Sequence, residues 1–298
     1  MTTATTVTEE IAAVFADAGT EGFLHARQVG VQDGPTASHG GDQQVVLASV
    51  FKIPVAVAYA REVVAGRIDP AEYTTVTGRY RIGGIGTAGA ADDVTMTWRD
   101  LGRFMMIMSD NAATDVIFHR VGQQAVDRVL ADLHLGRTRL LGCCEDLFAS
   151  VLEDLGANDF EQALADATPE QLWGLRMRDP QRTISSTPQE ITTLLDAIWT
   201  DTAAPESACR IVRDYMAQQI WPHRLTSGFP NGVSVAAKTG TVPGIRNEAG
   251  VVTYPDGRQY AVAVFTRAND LAERRPEVDA SIGRSARLAV EHLRSLGS

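Results

Sequence analysis

Lysine is almost absent from this sequence. Of its 27 basic residues only Lys52 and Lys238 are lysines, and all the others are arginines. Arginine stays protonated at neutral pH, whereas the pKa of a lysine shifts readily on burial, so the two are not interchangeable where a proton must be transferred. A biased genome would explain the scarcity of lysine, but it would not explain why both lysines lie in short polar motifs. We therefore favour a chemical role for both.

Cysteine is also scarce. The three cysteines, Cys143, Cys144 and Cys209, are odd in number and two of them are adjacent. This pattern argues against a disulfide framework and indicates reduced thiols in a cytoplasmic protein. The six histidines show no spacing typical of metal ligands, so neither a metal nor another cofactor is expected.

Long apolar runs and an excess of positive charge are missing as well. No apolar run approaches the roughly 18 residues that a membrane span needs, and residues 1–8 have neither the positive cluster nor the apolar core of a secretory signal. The formal net charge of −10 argues against a nucleic-acid or anionic-membrane partner. What remains is an ordinary globular chain of 298 residues, long enough for one large domain or two interleaved lobes.

The first of the polar motifs is Ser49-x-x-Lys52. It follows a predicted short strand, residues 44–47, and opens an apolar helical run that extends to Val64. Residues three apart at a helix start share a face, and the helix N-terminus favours a developing anion on Ser49. A partly desolvated Lys52 would accept the proton of the Ser49 hydroxyl. Alone, however, a serine and a lysine at this spacing are a weak signal.

Two further motifs follow in the chain. Ser109-Asp110-Asn111 separates a predicted helix that starts at Thr97 from another that resumes at Ala112, where such a triplet is most often a helix cap. Lys238-Thr239-Gly240 lies on a predicted strand near the end of the chain. Each motif is weak evidence alone and becomes informative because the other motifs are also present.

The order of the predicted elements indicates an α+β fold. We expect an antiparallel sheet flanked by terminal helices, a sheet lobe from about residues 8–48 and 220–298, and an inserted all-helical lobe at about 49–219. The site would lie in the cleft between the two lobes. The predicted elements are a helix at 8–18 capped by Thr8, a strand at 22–31, an irregular region at 67–96, two or three short helices within 142–175, helices at 188–200 and 206–219, strands at 233–237, 250–254 and 260–265, and a helix at 277–296.

With all three motifs in this order, the sequence resembles the class A β-lactamases and penicillin-binding proteins over roughly residues 8–296. The resemblance implies a serine hydrolase that forms an acyl-enzyme with a small-molecule β-lactam or a related amide or ester carrying a carboxylate. It also implies roles for individual residues. These are Ser49 as nucleophile, Lys52 as its general base or as a proton relay, Ser109 as proton donor to the leaving group, Lys238 as a source of positive potential, Asn111 as a holder of the substrate amide and of Lys52, Thr239 as a carboxylate ligand, the N–H groups of Ser49 and Thr241 as the oxyanion hole, and Arg246 as a further anchor.

The sequence departs from this family at the deacylation step. Class A enzymes activate the hydrolytic water with the glutamate of a Glu-x-x-Leu-Asn segment, and this segment is absent here. Glu170 comes nearest, although Thr168-Pro169-Glu170-Gln171 is also a good helix start; Asp159, Glu161 and Asp166 are weaker candidates. We therefore expect competent acylation and slow or differently organised deacylation. An acyltransferase or esterase of small-molecule metabolism and a slowly deacylating penicillin-binding sensor stay open as alternatives.

Overall fold

A five-stranded antiparallel sheet forms one side of the molecule. The computed structural model describes residues 6–82 and 84–296, so residues 1–5, which belong to the segment tested above for a signal, lie outside it. The sheet contains β1 (Thr20–Gln28), β2 (Thr36–His39), β7 (Ser234–Val242), β8 (Ile245–Thr253) and β9 (Gln259–Ala268). Their spatial order is β2-β1-β9-β8-β7, and every neighbouring pair is antiparallel. The strands therefore come from both ends of the chain, as predicted.

The two terminal helices, α1 (Val7–Asp17) and α12 (Pro276–Leu296), pack together against one face of this sheet. Thr8 was the wrong cap, because α1 begins at Val7 and is capped by Thr6. Two hydrogen bonds identify Thr6 as the cap: the Glu9 backbone N–H donates to Thr6 Oγ1 at 3.3 Å, and the Thr6 N–H donates to Glu9 Oε2 at 2.7 Å. This reciprocal pair of hydrogen bonds satisfies two backbone donors at once.

Helix α9 (Pro188–Trp199) covers the opposite face, in contact with β1, β8 and β9. On β9, Ala261, Ala263 and Phe265 join the core that contains α9, whereas Val262 and Val264 join the core beneath α12. This alternation follows from the two-residue period of a strand. Because both faces are covered, β9 reads as a continuous apolar run in the sequence.

The remaining helices lie between the two groups of strands in the chain. Helix α2 (Lys52–Val64) is at their centre, with every side chain from Lys52 to Ala60 buried, and it packs against four of its neighbours. Because α2 is buried in this way, the side chain of its first residue, Lys52, is also enclosed by protein. The others are α3 (Trp98–Ile107), α4 (Asn111–Val121), α5 (Gln123–Asp132), α6 (Cys144–Leu155), α7 (Phe160–Asp166), α8 (Pro169–Gly174), α10 (Glu206–Met216) and α11 (Leu225–Gly228).

Residues 67–96 are not irregular, contrary to expectation. Strands β4 (Tyr73–Val76) and β5 (Val94–Thr97) pair with each other, and β3 (Val45–Val46) pairs with β6 (Ser185–Ser186). The short strand predicted at residues 44–47 is β3, whereas β4, β5 and β6 escaped prediction because strands of two to four residues are too short to show a clear alternation of apolar and polar residues. Three short helices, α6 to α8, confirm the prediction for residues 142–175. None of the helices in the described part of the chain is long and apolar enough to cross a membrane.

A buried histidine joins the sheet to α9. His25 on β1 is 5% exposed, and its Nδ1 lies 2.6 Å from Thr192 Oγ1. Burial, with a smaller contribution from the Arg27 charge, lowers the pKa of His25 to about 4. The folded protein therefore holds this ring neutral at a pH where the unfolded chain, with an ordinary pKa near 6.5, would bind a proton.

We expect acid to destabilise the protein through His25. The group contributes stability above pH 6.5 that is lost as the pH falls toward 4. The shift corresponds to a loss of about 2 kcal/mol of unfolding free energy between pH 7 and pH 5. Urea denaturation followed by circular dichroism at the two pH values measures it. His25→Gln should lose correspondingly less than the wild type over this interval, whereas His134→Asn, at an exposed position, should behave like the wild type.

Candidate active site

Ser49 lies at the start of α2, but not within the α-helix. It belongs to a 3₁₀ turn, Ala48–Phe51, which follows β3, and the α-helix itself begins at Lys52. Ala48 adopts a left-handed backbone with φ of +46°, which a residue with a Cβ rarely does. The turn leaves Ser49 half-buried at the wall of a cavity of about 300 Å³. The lining residues of this cavity are Ser49, Ile85, Met108, Ser109, Asn111, Trp221, His223, Arg224, Thr239, Gly240, Thr241 and Arg246.

Lys52 is fully buried beneath this cavity. Its Nζ donates to the Ser109 carbonyl oxygen at 2.7 Å, to Asn111 Oδ1 at 2.8 Å and to Ser109 Oγ at 3.2 Å. Burial lowers the pKa of Lys52, and the nearby acidic groups, Cys144 and Asp115 among them, oppose the shift. The ammonium form is thus costly here, which suits a lysine that has to accept a proton.

The Ser109-Asp110-Asn111 motif contains a helix cap and two site residues together. Asp110 caps α4, since its Oδ1 accepts from the Ala113 N–H at 3.0 Å, and its Oδ2 accepts from the Thr87 hydroxyl at 2.8 Å. Ser109, with a left-handed φ of +65°, and Asn111 both direct their side chains toward Lys52. Asp110 therefore acts as the helix cap, whereas Ser109 and Asn111 are the residues of the triplet that contact Lys52.

Lys238 on β7 completes a chain of polar groups. Its side chain is fully buried, and its Nζ donates to Ser109 Oγ at 2.8 Å and to the Thr239 carbonyl oxygen at 2.9 Å. Ser109 Oγ thus lies between the two lysines. Burial lowers the pKa of Lys238 well below its usual range, and the charge of Lys52 lowers it further. Two such neighbouring amines resist being protonated together, because each positive charge makes the other more costly.

Gly240 brings β7 against the turn that carries Ser49. A Cβ at this position would lie 2.6 Å from the Leu47 carbonyl oxygen and 3.1 Å from the Ser49 nitrogen, so only glycine permits the approach. The adjacent Thr239 and Thr241 consequently reach the same cavity as Ser49. This arrangement supports the predicted pairing of the Ser49 and Thr241 N–H groups as an oxyanion hole.

We expect Gly240→Ala to lower both the stability of the protein and the reactivity of Ser49. The added methyl would force β7 away from Ser49, which should cost about 1–3 kcal/mol of folding free energy and lower the rate of Ser49 acylation by at least about tenfold, since an oxyanion-hole donor is worth more than that. Gly174→Ala is the matched control, because a Cβ there meets nothing within 4 Å. Thermal melts and labelling kinetics measure the two effects. Unchanged labelling in folded Gly240→Ala would contradict the proposed oxyanion hole.

Two arginines line the cavity on the side of Thr241. Arg246, named from the sequence, donates to Asp279 Oδ2 at 3.0 Å. Arg224, which the sequence analysis missed, is 3% exposed and donates to Asp279 Oδ1 at 2.7 Å and to Thr241 Oγ1 at 2.8 Å. One carboxylate thus faces two guanidinium groups. Two positive charges against one negative charge leave this part of the cavity positive, so it attracts an anion although the chain as a whole is acidic.

Glu170 is not brought to this cavity. It is exposed in the first turn of α8, where Thr168 Oγ1 accepts from the Gln171 N–H at 3.3 Å, so Glu170 belongs to the capped start of a helix, the second of the two interpretations offered by the sequence. Asp159 and Asp166 line a separate cavity, and Glu161 lines another. The carboxylates singled out in the sequence therefore lie away from the group of Ser49, Lys52, Ser109, Asn111 and Lys238.

Cys144 is the side chain beside Lys52 that the sequence analysis did not place in the site. It is the first residue of α6, its N–H donates to Asp115 Oδ1 at 2.7 Å, and its Sγ lies 3.5 Å from Asn111 Oδ1. Burial raises the pKa of Cys144 to about 12, so this group is a neutral thiol. Burial also raises the pKa of Asp115 to about 6. No local pattern marks Cys144, because its contact with Asn111 spans 33 residues.

The cavity between the sheet and the helices combines the turn that carries Ser49, two buried lysines and a wall lined by two arginines. This combination is typical of a serine hydrolase of the acyl-enzyme class. The model of the beta-lactamase enzyme family matches residues 6–293, and the chain belongs to this family. It is a β-lactamase-like serine hydrolase with a small-molecule substrate, as the sequence predicted.

Similar proteins are known in sequence and in structure. The chain is 27% identical over 271 residues to the β-lactamase regulatory protein BlaB of Streptomyces cacaoi, covering 85% of this chain and 87% of BlaB. A β-lactamase from Sphaerobacter thermophilus superposes with a TM-score of 0.76 at 25% identity and 97% coverage of both chains. A class A β-lactamase from Mycobacterium abscessus has the same fold, with a TM-score of 0.76 at 18% identity, covering 98% of this chain and all of that one. The predicted fold class is confirmed.

Proposed function

We propose that a β-lactam, or a related small amide or ester, acylates Ser49 and that hydrolysis of the acyl-enzyme is the slow step. The observation that carries the proposal is the surroundings of Lys52. Two hydrogen-bonding partners suited to acylation, Ser109 and Asn111, lie against its amine, whereas the third neighbour is the thiol of Cys144.

In acylation, neutral Lys52 takes the proton of Ser49 as Oγ attacks the substrate carbonyl carbon. The negative charge that forms on the carbonyl oxygen is held by the N–H groups of Ser49 and Thr241. When the C–N bond breaks, Ser109 gives its proton to the leaving nitrogen and receives the one held by Lys52. The 3.2 Å between Lys52 Nζ and Ser109 Oγ supports this relay.

A carboxylate on the substrate would bind at the opposite wall. Thr239 offers a hydroxyl there, Lys238 lies beneath it, and Arg224 and Arg246 border the cavity. Arg224 already donates to Asp279, Thr241 Oγ1 and the Gly240 and Asn247 carbonyl oxygens, and Arg246 to Asp279 and the Glu273 carbonyl oxygen, so the two guanidinium groups would attract the substrate carboxylate mainly through their positive charge. Asn111 is the proposed ligand of the substrate amide, with its other contact to Lys52 at 2.8 Å.

Deacylation needs a base that activates water, and the surroundings of Ser49 supply none of the usual kind. None of the described residues that line the cavity carries a carboxylate. The nearby buried carboxylates are engaged elsewhere: Asp110 with Thr87, Asp115 with the Cys144 N–H, Glu248 with the Leu225 N–H at 2.6 Å, and Asp279 with two arginines. A protonated thiol such as Cys144 is a poor general base at neutral pH. A long-lived acyl-enzyme follows.

A sensor role is the second candidate. A receptor that is acylated once and stays acylated reports the presence of a β-lactam, and slow deacylation is what this role requires. The similarity to BlaB, which is named as a regulatory protein, favours it. For the location we propose the cytoplasm, supported by three buried cysteines that are all free thiols.

Intact-protein mass spectrometry tests the proposal. The protein is mixed with benzylpenicillin and with a chromogenic cephalosporin, and the adduct is followed over hours, with Ser49→Ala as the control that should not be labelled. A persistent adduct with less than one turnover per minute supports slow deacylation, and its absence in folded Ser49→Ala supports the nucleophile. Rapid clearance with continuous turnover would contradict slow deacylation, labelling of Ser49→Ala would contradict the nucleophile, and no adduct would contradict a β-lactam substrate. Faster release on adding an amine would indicate an acyltransferase.

A further inference from the structure

Outside the active site, three side chains with metal-binding atoms meet between the start of α6 and the end of α4. They are His119 on α4, Cys143, which precedes α6, and Glu145 in its first turn. His119 Nε2 lies 3.6 Å from Glu145 Oε2 and 4.0 Å from Cys143 Sγ, and the three donor atoms all lie within 4.8 Å of one another. From these positions we propose that the protein binds a zinc ion, or another borderline divalent transition metal, at His119, Cys143 and Glu145.

The spacing of the donor atoms suits such an ion. In a tetrahedral zinc site, bonds of about 2.0 Å to nitrogen or oxygen and about 2.3 Å to sulfur place the donors roughly 3.3 to 3.5 Å apart. Two of the three observed separations, 3.6 and 4.0 Å, exceed this by about half an ångström or less, and the third, between Cys143 and Glu145, is at most 4.8 Å. Since the side chains of His119 and Glu145 are 37% and 35% exposed, small rotations of these two can close the difference. Three protein ligands leave a fourth position for water.

The surroundings orient two of the ligands. The Tyr80 hydroxyl lies 3.2 Å from His119 Nδ1, which leaves Nε2 as the nitrogen that faces Cys143 and Glu145. The backbone N–H of Cys143 donates to Asp146 Oδ2 at 2.8 Å, and its buried thiol lies 3.4 Å from the same oxygen. A partner on the far nitrogen of a histidine fixes the orientation of the ring, as in metal sites generally, and the bond to Asp146 fixes the backbone of Cys143 at the start of α6. On binding, the thiol gives up its proton to solvent, and sulfur bonds to the metal as a thiolate.

One neighbouring cation competes with the ion. The Arg79 guanidinium lies 3.3 Å from Glu145 Oε2, but at 62% exposure it can move away from the carboxylate. The sequence did not indicate this site because its ligands come from two segments 24 residues apart, outside any of the short ligand spacings. The site does not depend on the proposed acylation of Ser49.

Cobalt substitution tests the proposal directly. The whole protein, stripped with a chelator, is titrated with Co²⁺, because a Co²⁺–thiolate bond gives a charge-transfer band in the near ultraviolet that binding to surface carboxylates or histidines does not. We expect the band to saturate at one equivalent and to be displaced by Zn²⁺. Cys143→Ser should abolish the band, and His119→Asn should weaken Co²⁺ binding at least tenfold. Cys209→Ser, at another buried thiol, and Cys144→Ser should keep it.

Arg79→Gln is expected to bind Co²⁺ several-fold more tightly than the wild type, because it removes the competing positive charge. His119→Asn changes a partly exposed side chain, so it serves even if Cys143→Ser fails to fold, and circular dichroism establishes the fold of each variant. Zn²⁺ should also raise the melting temperature of the wild type but not that of His119→Asn. Saturating Co²⁺ without a thiolate band, or a band that survives Cys143→Ser and disappears in Cys144→Ser, would overturn the assignment.

Discussion

Replacing Lys52 by arginine is expected to lower the rate of Ser49 acylation by about 10³-fold, within the range that general-base catalysis contributes. Arginine keeps a positive charge but does not release its proton, so it cannot take the one from Ser49. Labelling by a fluorescent penicillin, measured by stopped flow, gives the rate. Because the arginine has to fit a fully buried position, Lys52→Met is the second variant, which removes the amine without adding volume.

The pH dependence provides the control on this interpretation. Burial lowers the pKa of Lys52, so the neutral fraction of the wild type, and with it the acylation rate, should rise with pH through a midpoint below 10.5. Lys52→Met should lose that rising limb. If folded Lys52→Met is acylated at the wild-type rate with the same pH profile, another group is the base.

The second large effect is expected from Cys144→Glu, which should accelerate clearance of the acyl-enzyme about 10²-fold. The Cys144 thiol lies 3.5 Å from Asn111 Oδ1, and Lys52 lies 2.8 Å from the same oxygen. A carboxylate attached at residue 144 would reach the neighbourhood of both, where it would be placed to take a proton from a water molecule. Mass spectrometry of the adduct after removal of free penicillin gives the clearance rate.

Cys144→Ser is the matched control for this variant. It conserves the size of the side chain and its contact with Asn111 but adds no carboxylate, so its adduct should persist as in the wild type. Equal clearance in the glutamate and serine variants, both folded and both acylated, would show that a missing carboxylate is not what makes deacylation slow. Fast clearance already in the wild type would make the comparison unnecessary and contradict the proposal.

The main features of the fold were accessible from the sequence because they rest on local patterns. The Thr97 and Thr187 side chains cap α3 and α9, and each accepts a hydrogen bond from the backbone N–H three residues later, that of Asp100 and of Glu190. The strands that carry the later apolar runs also lie where they were expected, although each extends several residues further. Extension of strands depends on hydrogen bonds to partners that the local sequence does not reveal, such as the pairing of Lys238 with Ala249.

The three polar motifs were recognisable for a related reason. Ser49 and Lys52 are close in the chain, as are Ser109 and Asn111, so each motif carries its own geometry in a short segment. The chemistry of lysine in a chain that otherwise uses arginine added the argument for Lys52 and Lys238. We propose roles for these residues, and the structure brings the amines of Lys52 and Lys238 to within hydrogen-bonding distance of Ser109 Oγ, and that of Lys52 also to Asn111 Oδ1.

By itself the sequence determined the fold class, through the order of its locally predicted elements, and the serine hydrolase chemistry, through the resemblance that its three short motifs carry. Only the tertiary structure decided which other groups face the site. It placed Arg224 at the cavity, Cys144 beside Asn111 and His119 beside Cys143, and it left Glu170 exposed on α8. The physical reason is distance along the chain: these contacts join residues tens of positions apart, and only the packing of whole helices against the sheet brings them together.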